Sequence, residues 1–101
     1  GKRPMMARIA YDLSTHLILT SDNPRHENPM DILHDMVAGL TDEEQKRTMI
    51  LEDRASAIKT ACMIARSGDV VLVAGKGHED YQIIGDEKVH FDDHEVVKGC
   101  L

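Results

Sequence analysis

The stretch that most constrains this chain is Val70-Val71-Leu72-Val73-Ala74, which is continuously apolar and rich in β-branched side chains. A strand with one wet face alternates apolar and polar residues, whereas an uninterrupted run suits a strand covered on both faces. The run therefore predicts a central strand lying between helices. The rest of the sequence supplies those helices. Pro4 suits a first helical turn, where its missing N–H costs nothing, and Met5/Met6, Ile9/Ala10 and Leu13 recur at helical spacing over residues 4–13. Residues 17–20 (Leu-Ile-Leu-Thr) form a short strand-length run. Asn28-Pro29 pairs a cap with a first-turn proline, Ile32/Leu33, Met36/Val37 and Leu40 give that helix a buried stripe, and Gly39 marks its end. Residues 41–47 are too charged for a core and read as an exposed connection.

Farther along, residues 49–51 are a weak strand, and Asp53 caps a helix with inner face Ala55, Ile58, Ala61/Cys62 and Ala65, stopped by Ser67-Gly68. Residues 81–84 and 89–91 flank Gly85-Asp86-Glu87-Lys88 as a β-hairpin. Asp92, with Glu95 three positions on, is a capping-box pattern for a last helix. Met5, Met6, Met30, Met36 and Met63 read as core packing. Helices alternating with strands predict an α/β class and a mainly parallel sheet, closed by a carboxy-terminal hairpin. A chain of 101 residues, 42% apolar and 30% charged, suffices for one core and is read as a single domain over 1–101.

The net charge of −6 argues against nucleic acid or an anionic membrane as partner, since both demand clustered positive charge. No apolar run approaches the ~18 residues of a membrane span. Cys62 and Cys100 form no C-x-x-C pair, which fits reduced thiols of a cytoplasmic protein. The six histidines show no H-x-x-x-H or H-E-x-x-H pairing on a helix, and helix capping explains the aspartates of the His90, Asp92, Asp93, His94 cluster, so no metal site is expected. No nucleophile motif and no catalytic residue stand out.

Ligands of open α/β sheets dock beyond the carboxyl ends of the strands, and two polar loops follow strands directly. In the first, Thr20 to Arg25, Pro24 keeps Asn23 out of the helical region and makes a stiff corner that fixes Arg25. An arginine there can grip a carboxylate through two parallel hydrogen bonds, while Asp22 and Asn23 offer acceptors to an ammonium group. In the second, Ala74 to Asp80, Gly75 and Gly77 permit sharp turns and close approach to a ligand. It is no P-loop, because G-x-x-x-x-G-K-[ST] is absent, and Glu79 and Asp80 would attract an amine. Together the loops suit a small zwitterion such as an amino acid. A plain Asx turn with a solvated arginine, and a glycine turn with a paired Lys76, account for the same residues without a ligand.

Gly-Lys-Arg-Pro (1–4), Ser-Asp-Asn-Pro-Arg (21–25), Glu-Asp-Arg-x-x-Ala-Ile (52–58), Ala-Gly-Lys-Gly-His-Glu-Asp-Tyr-Gln (74–82) and Phe91-Asp92-Asp93 stand in one order along the chain. Taken together they resemble the carboxy-terminal domain of the Mur ligases of peptidoglycan synthesis, and among those the diaminopimelate-adding branch. The resemblance implies a Rossmann-like three-layer domain lacking its first strand and helix. It also implies an ATP- and Mg2+-dependent ligase of the bacterial cytoplasm that joins meso-diaminopimelate to UDP-MurNAc-L-Ala-D-Glu. Asp22, Asn23, Pro24, Arg25, Gly75 and Glu79 are then the residues that bind the diamino acid. ATP and Mg2+ would be held mainly by the rest of the ligase chain, so these 101 residues alone are expected to be inactive. The alternative is a stand-alone, non-catalytic module that binds an amino acid or a nucleotide.

Overall fold

The computed structural model describes residues 2–22, 26–74 and 81–100. In chain order these hold α1 (Lys2–Leu13), β1 (Leu17–Thr20), α2 (Pro29–Val37), α3 (Asp42–Lys46), β2 (Thr48–Leu51), α4 (Arg54–Ile64), β3 (Tyr81–Ile84), β4 (Glu87–His90) and α5 (Asp93–Cys100). The class is mixed α/β, with a parallel pair β1–β2 in register from Leu17↔Thr48 to Thr20↔Leu51 and an antiparallel pair β3–β4. A parallel pair needs a long crossover, and α2 and α3 provide it.

Local chemistry sets most of these boundaries. The Asn28 side chain accepts a hydrogen bond from the Met30 amide, and Pro29 begins α2. At the other end of α2, the Gln45 amide donates to the carbonyls of Val37 (3.0 Å), which also accepts from the Leu40 amide, and of Leu40 (3.1 Å). Leu19 of β1 and Leu33 and Val37 of α2 form a buried cluster, against which Leu17, Met30, Met36 and Ile50 pack. Ala7, Leu40, Ala57 and Ile58 are buried as well. The turn between β3 and β4 has two residues, with Gly85 at φ +60°, the conformation that primed hairpin turns require. β4 therefore starts at Glu87, within what the sequence suggested was the turn.

Four expectations need correction. Residues 70–74 are not a strand: among the described residues no strand pairs with them, and pairing is what defines one. Val70 is 93% and Leu72 85% exposed, whereas Val73 is half-buried. Residues 41–47 are not a plain connection, because Thr41 and Glu44 form a reciprocal capping box that nucleates α3. The apolar stripe of α1 is also misread. Met5, Met6, Ile9 and Leu13 are exposed, and α1 instead buries the small Ala7. Met63 is exposed too, so of the five methionines only Met30 and Met36 pack against the core. Finally, α4 buries Arg54, Ala57 and Ile58, while Ala55, Ala61, Cys62 and Ala65 are half-buried.

Candidate functional site

β1 ends at Thr20, and its carboxyl end is tied to the start of α4. The Thr20 hydroxyl and the Ser21 amide both reach the Glu52 carbonyl, at 3.3 and 3.4 Å. Asp22 follows, half-buried. Of the residues expected to bind a ligand, Asp22 is the one the structure describes; Asn23, Pro24, Arg25, Gly75 and Glu79 lie outside the described residues.

Upstream of the second loop, Arg54 dominates. It is the first residue of α4, 4% exposed, and its guanidinium forks onto Asp93 at the start of α5. Nε donates to Oδ1 at 2.8 Å and Nη2 to Oδ2 at 2.7 Å. The same Nη2 donates to the Ala74 carbonyl at 3.1 Å, directly before the loop. These bonds to Asp93 raise the guanidinium pKa against the opposing effect of burial, with smaller electrostatic help from the Asp93 and Asp22 carboxylates. A buried charge is tolerated because its donors are satisfied on both sides; removing one member of such a pair costs about 3–5 kcal/mol. Downstream of the second loop, Gln82 of β3 donates through its amide nitrogen to the Asp22 carbonyl at 2.9 Å. Asp22, before the first candidate loop, and Gln82, after the second, therefore meet at the carboxyl end of β1.

Surface contacts extend the same frame. Arg3 forks onto Glu27, just beyond the first loop, with Nη2–Oε1 at 2.9 Å and Nη1–Oε2 at 3.2 Å. His26 lies 3.1 Å from Asp86 in the hairpin turn, an exposed contact that contributes little energy. Between β1 and residues 71–74 lies a cleft of about 90 Å³, lined by Ile18, Thr20, Arg54, Ala57, Ile58 and Ala61 on one side. Among the described residues no group of three His, Cys, Asp or Glu side chains could hold a metal ion. The aspartates near α5 are engaged: Asp92 caps the helix through the His94 amide at 2.8 Å, and Asp93 holds Arg54. Glu95 does not close the anticipated box but meets His90 at 2.9 Å.

Sequence reasoning missed Arg54, Asp93 and Gln82 as parts of this region. Each falls inside a stretch that carried the resemblance, namely 52–58, 91–93 and 74–82, but charge and spacing gave no reason to pair them across the chain.

Comparison with known proteins now decides the family. The model for the Mur ligase glutamate ligase domain matches residues 1–77. The chain belongs to the Mur ligase family. Two similar members are the UDP-N-acetylmuramoyl-L-alanyl-D-glutamate–2,6-diaminopimelate ligases of Parabacteroides distasonis, 61% identical, and Bacteroides fragilis, 59% identical. Each alignment covers 97% of this chain and 20% of the relative. A solved Mur ligase, a UDP-N-acetylmuramoyl-L-alanyl-D-glutamate–2,6-diaminopimelate ligase, superposes with a TM-score of 0.91 at 45% identity, over 99% of this chain and 20% of that one. The chain thus spans about a fifth of the length of the Mur ligases it matches.

Proposed function

We propose that this chain is the part of a diaminopimelate-adding Mur ligase that recognises the incoming diamino acid, folded as a single domain over 1–101. The observation that supports the reading is the Gln82–Asp22 hydrogen bond, which joins the residue before the first loop's Asn23 to the strand that follows the second loop, beyond the carboxyl end of β1. The names of the similar ligases supply the substrate class. In this reading Arg25 grips the distal carboxylate of meso-diaminopimelate, the Asn23-Pro24 corner holds it in place, and Asp22, Gly75 and Glu79 complete the pocket. The reaction is ATP-dependent amide formation on UDP-MurNAc-L-Ala-D-Glu. ATP and Mg2+ fall to the remainder of the enzyme, since the sequence has no P-loop and the described residues offer no metal cluster. The 101 residues alone are accordingly inactive. β1 and β2 belong to a Rossmann-like sheet whose first strand and helix come from that remainder, a reading supported by their parallel pairing. Such an enzyme works in the bacterial cytoplasm.

The test is Arg25→Ala in the full-length ligase carrying this chain, or in the Bacteroides fragilis relative with its matching segment replaced by it. A lost charge-assisted contact is worth about 1.5–3 kcal/mol, so the KM for diaminopimelate rises roughly tenfold or more while that for ATP stays put. An unchanged KM, or equal use of lysine by the unaltered enzyme, refutes the assignment.

A further inference from the structure

Cys62 and Cys100 stand 38 residues apart in the chain, and neither is in a disulfide. The fold nevertheless brings them together. α5 packs along α4, and the forked Arg54–Asp93 pair joins the two helices at their first residues. Arg54, Ile58 and Cys62 follow one i, i+4, i+8 row of α4, which puts Cys62 about 12 Å along the axis from that pair. Asp93, Val96, Val97 and Cys100 make the corresponding row of α5, which puts Cys100 about 10.5 Å from the same point. Two helices pinned at one end and running side by side thus bring their cysteines level two turns later. The side chains interact there: burial, and then the neighbouring Cys100 side chain, push the Cys62 thiol up from its ordinary pKa. Cys100 Sγ also donates to the Val96 carbonyl, one turn back, at 3.3 Å. Both cysteines are half-buried, within reach of a small reagent.

We infer that Cys62 and Cys100 form a reversible disulfide, made by exchange with a low-molecular-weight disulfide of the glutathione class, that staples the far end of α5 to α4. Neither cysteine is among the six residues proposed to bind the diamino acid. In the first exchange the Cys100 thiolate attacks one sulfur of the small disulfide, giving a mixed disulfide and releasing one small thiol. In the second, the Cys62 thiolate attacks the Cys100 sulfur and releases the other small thiol. Two protein thiols are oxidised, one small disulfide is reduced to two thiols, and the two protons end on those thiols. The order follows from the Cys62 environment. A thiol held protonated attacks an external disulfide slowly, yet it is effective against a sulfur fixed beside it. The bond closes a long loop, residues 63–99, and such closures restrict the unfolded chain most. Where thiol reductants prevail the bond is transient, and a dithiol reopens it.

The experiment equilibrates the full-length ligase that carries this chain with mixtures of reduced and oxidised glutathione, both folded and in guanidinium. Remaining thiols are alkylated and the peptides mapped by mass spectrometry. In the folded enzyme the Cys62 and Cys100 peptides come out joined, two hydrogens lighter than the pair of thiols, and a dithiol separates them. The equilibrium constant for that bond is at least about tenfold larger in the folded enzyme, because a bond that fits the fold stabilises it by the same factor. Cys62→Ala stops at a glutathione adduct on Cys100. Equal constants in the two states, a lasting adduct on Cys100 of the unaltered enzyme, or bonds made only to other cysteines overturn the inference. If Cys62→Ala fails to fold, the ratio of constants in the unaltered enzyme decides.

Discussion

Gly39 offers a sharp test of how α1 is seated. A Cβ added there would lie 2.1 Å from the Pro4 carbonyl oxygen, 2.7 Å from its carbon and 3.0 Å from its Cα, all backbone atoms of the first turn of α1. No rotamer can relieve such a clash. Ordinary contact requires α1 to retreat by about 1.3 Å, and Ala7, fully buried one turn later, would lose its packing. Overpacking of this kind costs about 1–3 kcal/mol. Alanine recovers only about 0.4–1 kcal/mol by restricting the unfolded chain. Gly39→Ala should therefore destabilise by about 1–2 kcal/mol and lower the Tm by roughly 5–15 °C in a domain of this size. Thermal unfolding followed by circular dichroism measures it. Gly99→Ala is the matched control: nothing lies within 4 Å of its added Cβ, so in α5 it should raise stability by about 0.5–1 kcal/mol. A Gly39→Ala protein that melts at or above the unaltered one would show that α1 does not rest on residue 39.

Two further outcomes bear on α3. Thr41→Ala removes the Glu44 amide's acceptor and half of the capping box, and should cost about 1 kcal/mol in urea unfolding. Hydrogen bonds from Arg8, then from the Thr41 backbone, lower the Glu44 carboxyl from 4.5 to about 2. A carboxylate depressed in the folded state stabilises above its unfolded pKa and loses that contribution as pH falls. The Tm gap between the protein and Glu44→Gln should hold above pH 4.5 and close toward pH 2; a constant gap would refute the Arg8–Glu44 pairing.

Much of the architecture was legible because capping chemistry is local. Asn28-Pro29 and Asp53 start helices where the sequence indicated, and Asp92 makes the bond to His94 expected of a cap. The errors came where a distant partner outweighs local pattern. Helical spacing placed Ala55 inward on α4, but the buried face turns toward Arg54 because Asp93, 39 residues away, neutralises it. On α1, the bulk of Met5, Met6 and Ile9 suggested a core face. The close approach at Gly39 needs a small surface, and Ala7 provides it. Thr41-x-x-Glu44 was readable as a box, yet its charge disguised it as a linker. For the site, Asn23, Pro24, Arg25, Gly75 and Glu79 lie outside the described residues, whereas the ties Arg54–Ala74 and Gln82–Asp22 depend on tertiary geometry that local pattern does not carry.

Residues 70–74 carry a consequence for the chain on its own. The exposed Val70 and Leu72, the β-branched composition and the lack of charge or proline over the run match the segments that stack between molecules. An exposed apolar run of this composition is a template for joining strands from other copies. Solutions of the isolated chain should therefore age toward thioflavin-binding assemblies, and a charge placed at Leu72 should delay them.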